Sequence, residues 1–461
     1  MLQVCSQWNG RLAGSCVVTA ALILAWGCAS VQETTLRERH RREYSASYRV
    51  SDTTNRPVCL DENSTIDDYI AHAFARNPSL RAAFDRWEAA IEGIPQARAL
   101  ENPALSFEYF AEQRDLRYQV GIEQMLPAFG KLGLRDRLAV AEAEAAAREF
   151  EVERFKVYDG VVKAFYEYRY LECSIEATGE NLRLMADLEK VLASRYGAGT
   201  AGYSEVIKVQ LEKDRLASEL ASLNDERGAR SAALSALLSL PAREVLPWPK
   251  DSPAGQPVID ETVLAGMLED LNPELKAADA MIAAAQTRVE LAEKNLLPDF
   301  TVGASWMVMA GKDGHGDEAD ASLVAGITLP IWRAGYRAGI REAAAMARAV
   351  ASERDDRRNT LRAELSMAVA KHRDADRRAS LFASTLVPKA ATALDVARQG
   401  FAAGQVDFMT LIDAQRTLLD FTLQADRAAA DREIANAEIR CRIGRFGNLP
   451  GGAGTVPAVE K

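Results

Sequence analysis

Asn77-Pro78-Ser79-Leu80 returns as Asn272-Pro273-Glu274-Leu275, 195 residues later (272 against 77). Pro103 returns as Pro298 at the same offset. Leu126-Pro127 returns as Leu329-Pro330 after 203 residues, and Tyr196-Gly197-Ala198-Gly199 as Phe401-Ala402-Ala403-Gly404 after 205. Gln210 and Gln415 keep that last spacing. The order of landmarks never changes, and the offset first widens between Pro298 and Leu329. The chain is therefore an internal duplication whose second copy carries the longer insert.

Each copy has one reading. The Asn-Pro pair starts a helix near Ser79 or Glu274, with proline in the first turn, where its missing N–H costs nothing. That helix stops near Pro103 or Pro298. Two short strands follow, then a very long helix, a glycine-containing turn and a returning helix. The boundaries predicted on this pattern are 64–240 for the first repeat, 241–260 for a Pro-rich linker and 261–445 for the second repeat. Residues 446–461 read as a flexible Gly/Pro-rich tail.

The strands alternate. Leu105, Phe107 and Tyr109 oppose Ser106 and Glu108, and Tyr118, Val120 and Ile122 oppose Gln119, Gly121 and Glu123. In the second copy Phe300, Val302, Ala304 and Trp306 oppose Thr301, Gly303 and Ser305. Ala321, Leu323, Ala325 and Ile327 oppose Ser322, Gly326 and Thr328. One apolar face and one small or polar face, on segments near the roughly 9–11 residues that cross a bilayer at a tilt, suit a membrane barrel better than a soluble sheet. Four strands are too few to close, since the smallest membrane barrels have about eight. An open edge in lipid leaves backbone groups unpaired at several kcal/mol each. Other copies of the chain must complete the sheet, and a trimer of twelve strands is expected.

The helices are long. No proline interrupts Lys131 to Tyr196, and only Pro388 lies between Gly335 and Gly400. Leu134, Leu138, Ala141, Ala145, Val152 and Phe155 follow heptad spacing. So do Val206, Val209, Leu216, Leu220 and Leu223, and, shifted by 205, Leu411, Ala414, Phe421, Ala425 and Ala428. Several such hairpins in a ring would make a hollow helical barrel. The fold class expected is mainly α with a membrane β part.

The N-terminus reads as a signal peptide over 1–27. Arg11 supplies its charge, and Cys16 to Trp26 is an apolar run too short to span a bilayer. Gly27-Cys28-Ala29-Ser30 resembles the lipobox of bacterial lipoproteins, which implies diacylglycerol and palmitate on Cys28 and, with Ala29 next, the outer membrane. Residues 28–63, polar and without periodicity, read as an extended N-terminal tail. Cys173 and Cys441 fall in predicted helices, and no Cys/His spacing suggests zinc. The net charge of −10, without a basic stripe, excludes nucleic acid as a partner. No phosphate loop, nucleophile elbow or metalloprotease motif is present, so no enzyme is expected and no cofactor beyond the lipid.

Across residues 65–445 the ordered landmarks resemble the TolC family of outer-membrane efflux proteins. They are the two Asn-Pro motifs, Leu297-Pro298-Asp299-Phe300, Ile327-Thr328-Leu329-Pro330-Ile331-Trp332, and the turns from Arg195 to Gly199 and from Gly400 to Gly404. Leu126-Pro127-Ala128-Phe129-Gly130-Lys131-Leu132-Gly133-Leu134-Arg135 is most similar to the heavy-metal branch. The resemblance implies a homotrimer whose twelve-stranded β-barrel lies in the outer membrane and continues into a periplasmic α-helical barrel. It also implies a passive duct for metal ions or small toxic compounds. Its partners would be a periplasmic adaptor protein and an inner-membrane pump of the resistance–nodulation–division type. A type I protein-secretion channel has the same architecture and stays open as a reading. A periplasmic coiled-coil adaptor or scaffold would need a lipoyl-like β-domain, which is absent.

The same resemblance places the helical turns at the periplasmic tip. Gly197, Gly199, Gly202, Tyr203, Gly400, Gly404 and Phe408 are then the candidates for adaptor docking. Asp395 lies six residues before Phe401, where relatives carry an acid near the aperture. Threefold symmetry would make it a carboxylate ring that favours cations. Asp407 is a second candidate. In the loop from Gly311 to Asp320, His315 and Asp317 are residue types that ligate metals, and an acidic exposed loop is the plainer reading.

Overall fold

A computed structural model describes residues 31–47, 60–61, 63–111, 116–241, 245–250, 261–309 and 318–446. The signal segment, Cys28, His315 and Asp317 lie outside the described residues.

Asn77 and Asn272 explain why their motifs repeat. Asn77 ends α2 (Ile66–Arg76) and caps α3 (Pro78–Arg98), its Oδ1 accepting the N–H groups of Ser79 (2.9 Å) and Leu80 (3.3 Å). Its Nδ2 donates to Leu237 O at 3.0 Å. Asn272 stands between α6 (Glu261–Leu271) and α7 (Pro273–Lys294), and its Oδ1 accepts from Glu274 N (2.8 Å) and Leu275 N (3.1 Å). Its Nδ2 donates to Arg442 O at 2.8 Å. One side chain thus satisfies orphan donors at a helix start and ties that start to the end of a returning helix.

Between α3 and α7 in sequence lie β1 (Ala104–Tyr109), β2 (Leu116–Leu126), α4 (Lys131–Gly197) and α5 (Tyr203–Leu238). After α7 come β3 (Asp299–Met309), β4 (Glu318–Thr328) and α8 (Arg333–Leu381). A π turn (Phe382–Leu386), α9 (Val387–Ala402) and α10 (Phe408–Ile443) complete the order. The uninterrupted first long helix is realised as α4, whose 67 residues span about 100 Å. Pro388 leaves its mark on the second: just before it, Val387 N–H reaches back to Phe382 O, five residues away. A proline has no N–H for the regular bond, and the π turn absorbs the mismatch.

The chain divides into two compact units. One holds residues 31–43, 88–143 and 290–340, the other 44–87, 144–289 and 341–446. The first contains the sheet, antiparallel in the order β1-β2-β3-β4, so that each repeat's hairpin contributes two neighbouring strands. The core of the second centres on Tyr69, Phe165 and Tyr168. Tyr69 and Phe165 meet edge to face at 5.2 Å, and the Tyr168 hydroxyl donates to Leu246 O at 2.8 Å.

Three expectations need correction. Residues 31–47 form a helix, α1 (Val31–Ser47), where an extended tail was expected. Ion pairs tie it to α3: buried Glu33 receives Arg37 one turn on (2.9 Å) and Arg98 of α3 (3.1 Å), and Arg37 also grips Glu92 of α3. Phe446, read as the start of a flexible tail, stacks on Phe155 at 3.9 Å. Of the expected α4 seam, Leu134, Ala145 and Phe155 are buried, whereas Leu138, Ala141 and Val152 are half-buried. The continuous buried row runs instead through Ala139, Ala143, Ala147 and Phe150. Small alanines let neighbours approach closely, and Phe150 meets Trp87 and Phe84.

Candidate functional site

Two regions hold the residues with functional candidacy, the sheet and the helical turns, and each stands within one unit.

The register of the sheet aligns like residues across all four strands. Leu105, Ile122, Ala304 and Leu323 form one row, and Phe107, Val120, Trp306 and Ala321 the next. Leu105, Phe107, Trp306 and Leu323 are 75, 67, 54 and 91 % exposed. An apolar face this open has no partner among the described residues and suits lipid. The opposite face carries the row Ser106, Gly121, Ser305 and Ser322, with Ser305 and Ser322 hydroxyls 2.7 Å apart. Among the described residues β1 pairs only with β2, and β4 only with β3, so both outer edges of the described sheet are open.

The two turns share one backbone. α4 ends with Thr200 N–H bonded to Arg195 O (2.9 Å), and α9 ends with Gln405 N–H bonded to Gly400 O (2.8 Å). In each, one glycine takes a left-handed conformation: Gly199 at φ +74° and Gly404 at φ +73°. This six-to-one bond with a left-handed glycine is a Schellman cap. Gly197 closes α4 and Gly202 caps α5 without a side-chain bond. Gly400 is needed for space: a Cβ there would stand 2.5 Å from Val406 Cγ2.

Side chains break the symmetry of the backbones. Tyr196 and Tyr203 lie outward, 49 and 59 % exposed, with rings 5.4 Å apart. Their counterparts Phe401 and Phe408 turn inward, 9 and 1 % exposed, at 6.0 Å. Phe408 therefore does not offer its ring to a partner as expected; it fills the core of its own turn. Arg195 lies 4.7 Å over the Phe401 ring and donates to Phe401 O and Ala402 O, both at 3.3 Å, so it closes the C-terminus of α9. Asp407 caps α10: it accepts from Thr410 N at 3.1 Å and from the Thr410 hydroxyl, and these bonds hold its carboxyl below the usual range. Asp395 stands exposed on α9 between buried Leu394 and exposed Val396.

Nearby, a polar layer interrupts the packing of the hairpins. Glu212, 4 % exposed, receives Arg215 at 2.9 Å and Arg416 at 2.5 Å. Burial pushes its carboxyl up, but the two guanidinium groups outweigh that and hold it at about 2. Gln415 donates to Asn181 Oδ1 at 2.7 Å in the same layer. Its repeat counterpart Gln210 donates instead to Glu189, which also takes Lys213. Sequence reasoning missed Glu212 because a charged residue on a long helix reads as solvated. It also missed Ile207 and Leu211, 36 and 65 % exposed, which continue the row of Tyr203 at four-residue spacing. No group of three or more metal-ligating side chains occurs among the described residues, and no described helix is long and apolar enough to cross a membrane.

The profile of a family described as Outer membrane efflux protein matches residues 69–240 and 264–445, one stretch per repeat. The cobalt-zinc-cadmium resistance protein CzcC of Cupriavidus metallidurans is 24 % identical over 370 residues, which cover 77 % of this chain and 84 % of that protein. The outer membrane protein VceC of Vibrio cholerae aligns with a TM-score of 0.69 at 18 % identity, over 82 % of this chain and 96 % of VceC. CusC, whose structures concern folding and transmembrane channel formation, aligns with a TM-score of 0.69 at 15 % identity, over 83 and 93 %. At such identities the structural likeness is one of fold.

Proposed function

The chain belongs to the outer membrane efflux protein family, and from that membership we propose that it is the outer-membrane channel subunit of a tripartite efflux system. It acts as a passive exit duct. An inner-membrane pump of the resistance–nodulation–division type delivers cargo to it through a periplasmic adaptor. Metal ions are the cargo class favoured over small organic toxicants, on the likeness to a cobalt-zinc-cadmium resistance protein over most of both chains.

The observation that carries this reading is the exposed apolar face of the four-stranded sheet together with its two open edges. Strands of 11 residues match the length a tilted membrane strand needs. Lipid tolerates no open edge, so the working unit is an oligomer, and three copies supply twelve strands. The helical barrel stands in the periplasm, and lipid on Cys28 adds an anchor. The turn at Gly197, Gly199 and Gly202 docks the adaptor through Tyr203 and the exposed apolar row behind it. Gly404 and Phe408 shape the second turn, and Asp395 forms the cation-favouring ring.

The test is deletion of the gene followed by growth on cobalt, zinc and cadmium salts and on organic toxicants. Metal sensitivity restored by the wild-type chain is expected. Sensitivity confined to organic compounds would replace the cargo, and unchanged sensitivity to all would sink efflux as the function.

A further inference from the structure

In the first repeat the junction between strand and long helix is filled by the second repeat. Lys131, the first residue of α4, is buried. Its Nζ donates to Asp299 Oδ1 at 2.7 Å and to Leu297 O at 3.3 Å. The same Asp299 oxygen accepts the N–H of Ala128 at 2.7 Å. Nearly two turns further along α4, Arg137 pairs with Glu290 of α7. The end of α7 and the start of β3 are thus wedged against the start of α4.

Arg333 holds the corresponding place in the second repeat. It is the first residue of α8, as Lys131 is of α4, and Arg333-Ala334-Gly335-Tyr336-Arg337 matches Lys131-Leu132-Gly133-Leu134-Arg135 at its glycine and basic positions, with two residues after Leu329-Pro330 where the first repeat has three after Leu126-Pro127. Yet among the described residues nothing fills its junction. Arg333 is exposed and has no carboxylate partner among the described residues. Ile331 and Trp332 beside it are 67 and 78 % exposed, and the first residue of α8 that the chain itself buries is Leu361. β4, which leads into this junction, has an open edge, whereas β2 is paired on both sides.

The duplication says what is missing. The 195-residue offset that relates the repeats takes Asp299 to Ala104 and Leu297 to Asn102. Ala104 is the first residue of β1, the other open edge. A second copy whose β1 pairs with β4 brings its own residues 102–104 to Arg333, just as β3 brings residues 297–299 to Lys131. We propose that Arg333 and Trp332 form a composite joint with Asn102 and Ala104 of a second copy, built on the plan of the Lys131–Asp299 seat but lacking its carboxylate. Arg333 then donates to the Asn102 carbonyl, and exposed Glu101 of the second copy is the nearest acid in sequence. This rests on the reading of the chain as an oligomeric membrane channel, and it specifies which residues meet.

The test uses the full chain extracted from outer membranes. Ala104→Cys combined with Arg333→Cys is expected to give covalent oligomers on a non-reducing gel, with Lys131→Cys/Asp299→Cys as a control that links only within a chain. Ala104→Asp, which restores the missing carboxylate, is expected to raise the temperature at which the oligomer dissociates in SDS, and to do so only while Arg333 is present. Oligomers of normal size that neither cross-link at these positions nor gain stability from Ala104→Asp would overturn the joint and leave the channel reading intact. A chain that is monomeric in outer-membrane extracts would overturn both.

Discussion

Glu212 of α5 and Arg416 of α10 meet at 2.5 Å, the carboxylate 4 % exposed and the guanidinium side chain about half exposed. Each belongs to the returning helix of a different hairpin, so the pair ties the two repeats together at a point where the neighbouring positions Val209 and Leu216 are apolar. A buried carboxylate is tolerated there only because Arg215 and Arg416 both reach it.

Glu212→Leu should be tolerated better than Arg416→Ala. Removing the acid leaves two arginines that reach water, whereas removing Arg416 leaves a buried charge with one partner, at a cost of about 1–3 kcal/mol. Thermal unfolding of the two variants ranks them, and the reverse order would refute the asymmetry.

The pH dependence follows from the same carboxyl. Its folded value of about 2 lies below the ordinary 4.5, so the stabilisation is fully present above pH 4.5 and is lost as pH falls from there toward 2. The difference in unfolding temperature between wild type and Glu212→Gln should be largest at neutral pH and shrink across that window. A difference that stays constant down to pH 2.5 would remove the ion pair as its source.

Asn272→Ala should destabilise by about 2–3 kcal/mol, because it frees two helix-start donors and the Arg442 carbonyl in a site where the asparagine is 1 % exposed. Asn272→Ser keeps a neutral capping oxygen and loses the donor to Arg442. It should fall between the two in a denaturation series, and equality with alanine would show that the cap contributes nothing.

Gly400→Ala should cost about 1–3 kcal/mol through the collision with Val406. Val406→Ala removes the colliding methyl groups, so the double variant should recover most of the loss. Additive losses in the double-mutant cycle would place the strain elsewhere.

Leu323→Arg should reduce assembly in the outer membrane, since arginine on a lipid face costs about 2–4 kcal/mol near the bilayer midplane. Val324→Arg points to the opposite face and should assemble at close to the wild-type level. Equal yields of the two in membrane fractions would contradict the lipid-facing assignment of the Leu105–Leu323 row.

Whatever depends on neighbours two to five residues away was legible in the sequence. The Asn-Pro starts are caps whose acceptor and donors lie within one turn, the left-handed glycines of both turns are local, and strand alternation records its own two faces. Their duplication fixed the repeat, the class of fold and the need for further copies to complete the sheet. The three-dimensional packing decided the rest. α1 is held against α3 by Arg98 and Glu92, far along the chain. Glu212 is buried because Arg416, 204 residues away, neutralises it. Phe408 turns inward and Tyr203 outward on matching turn backbones: Phe408 packs on Phe401, which Arg195 of the other hairpin covers, while Tyr203 packs on exposed Tyr196. Side-chain burial is set by what the fold brings alongside, and that information is distributed over segments no local pattern connects.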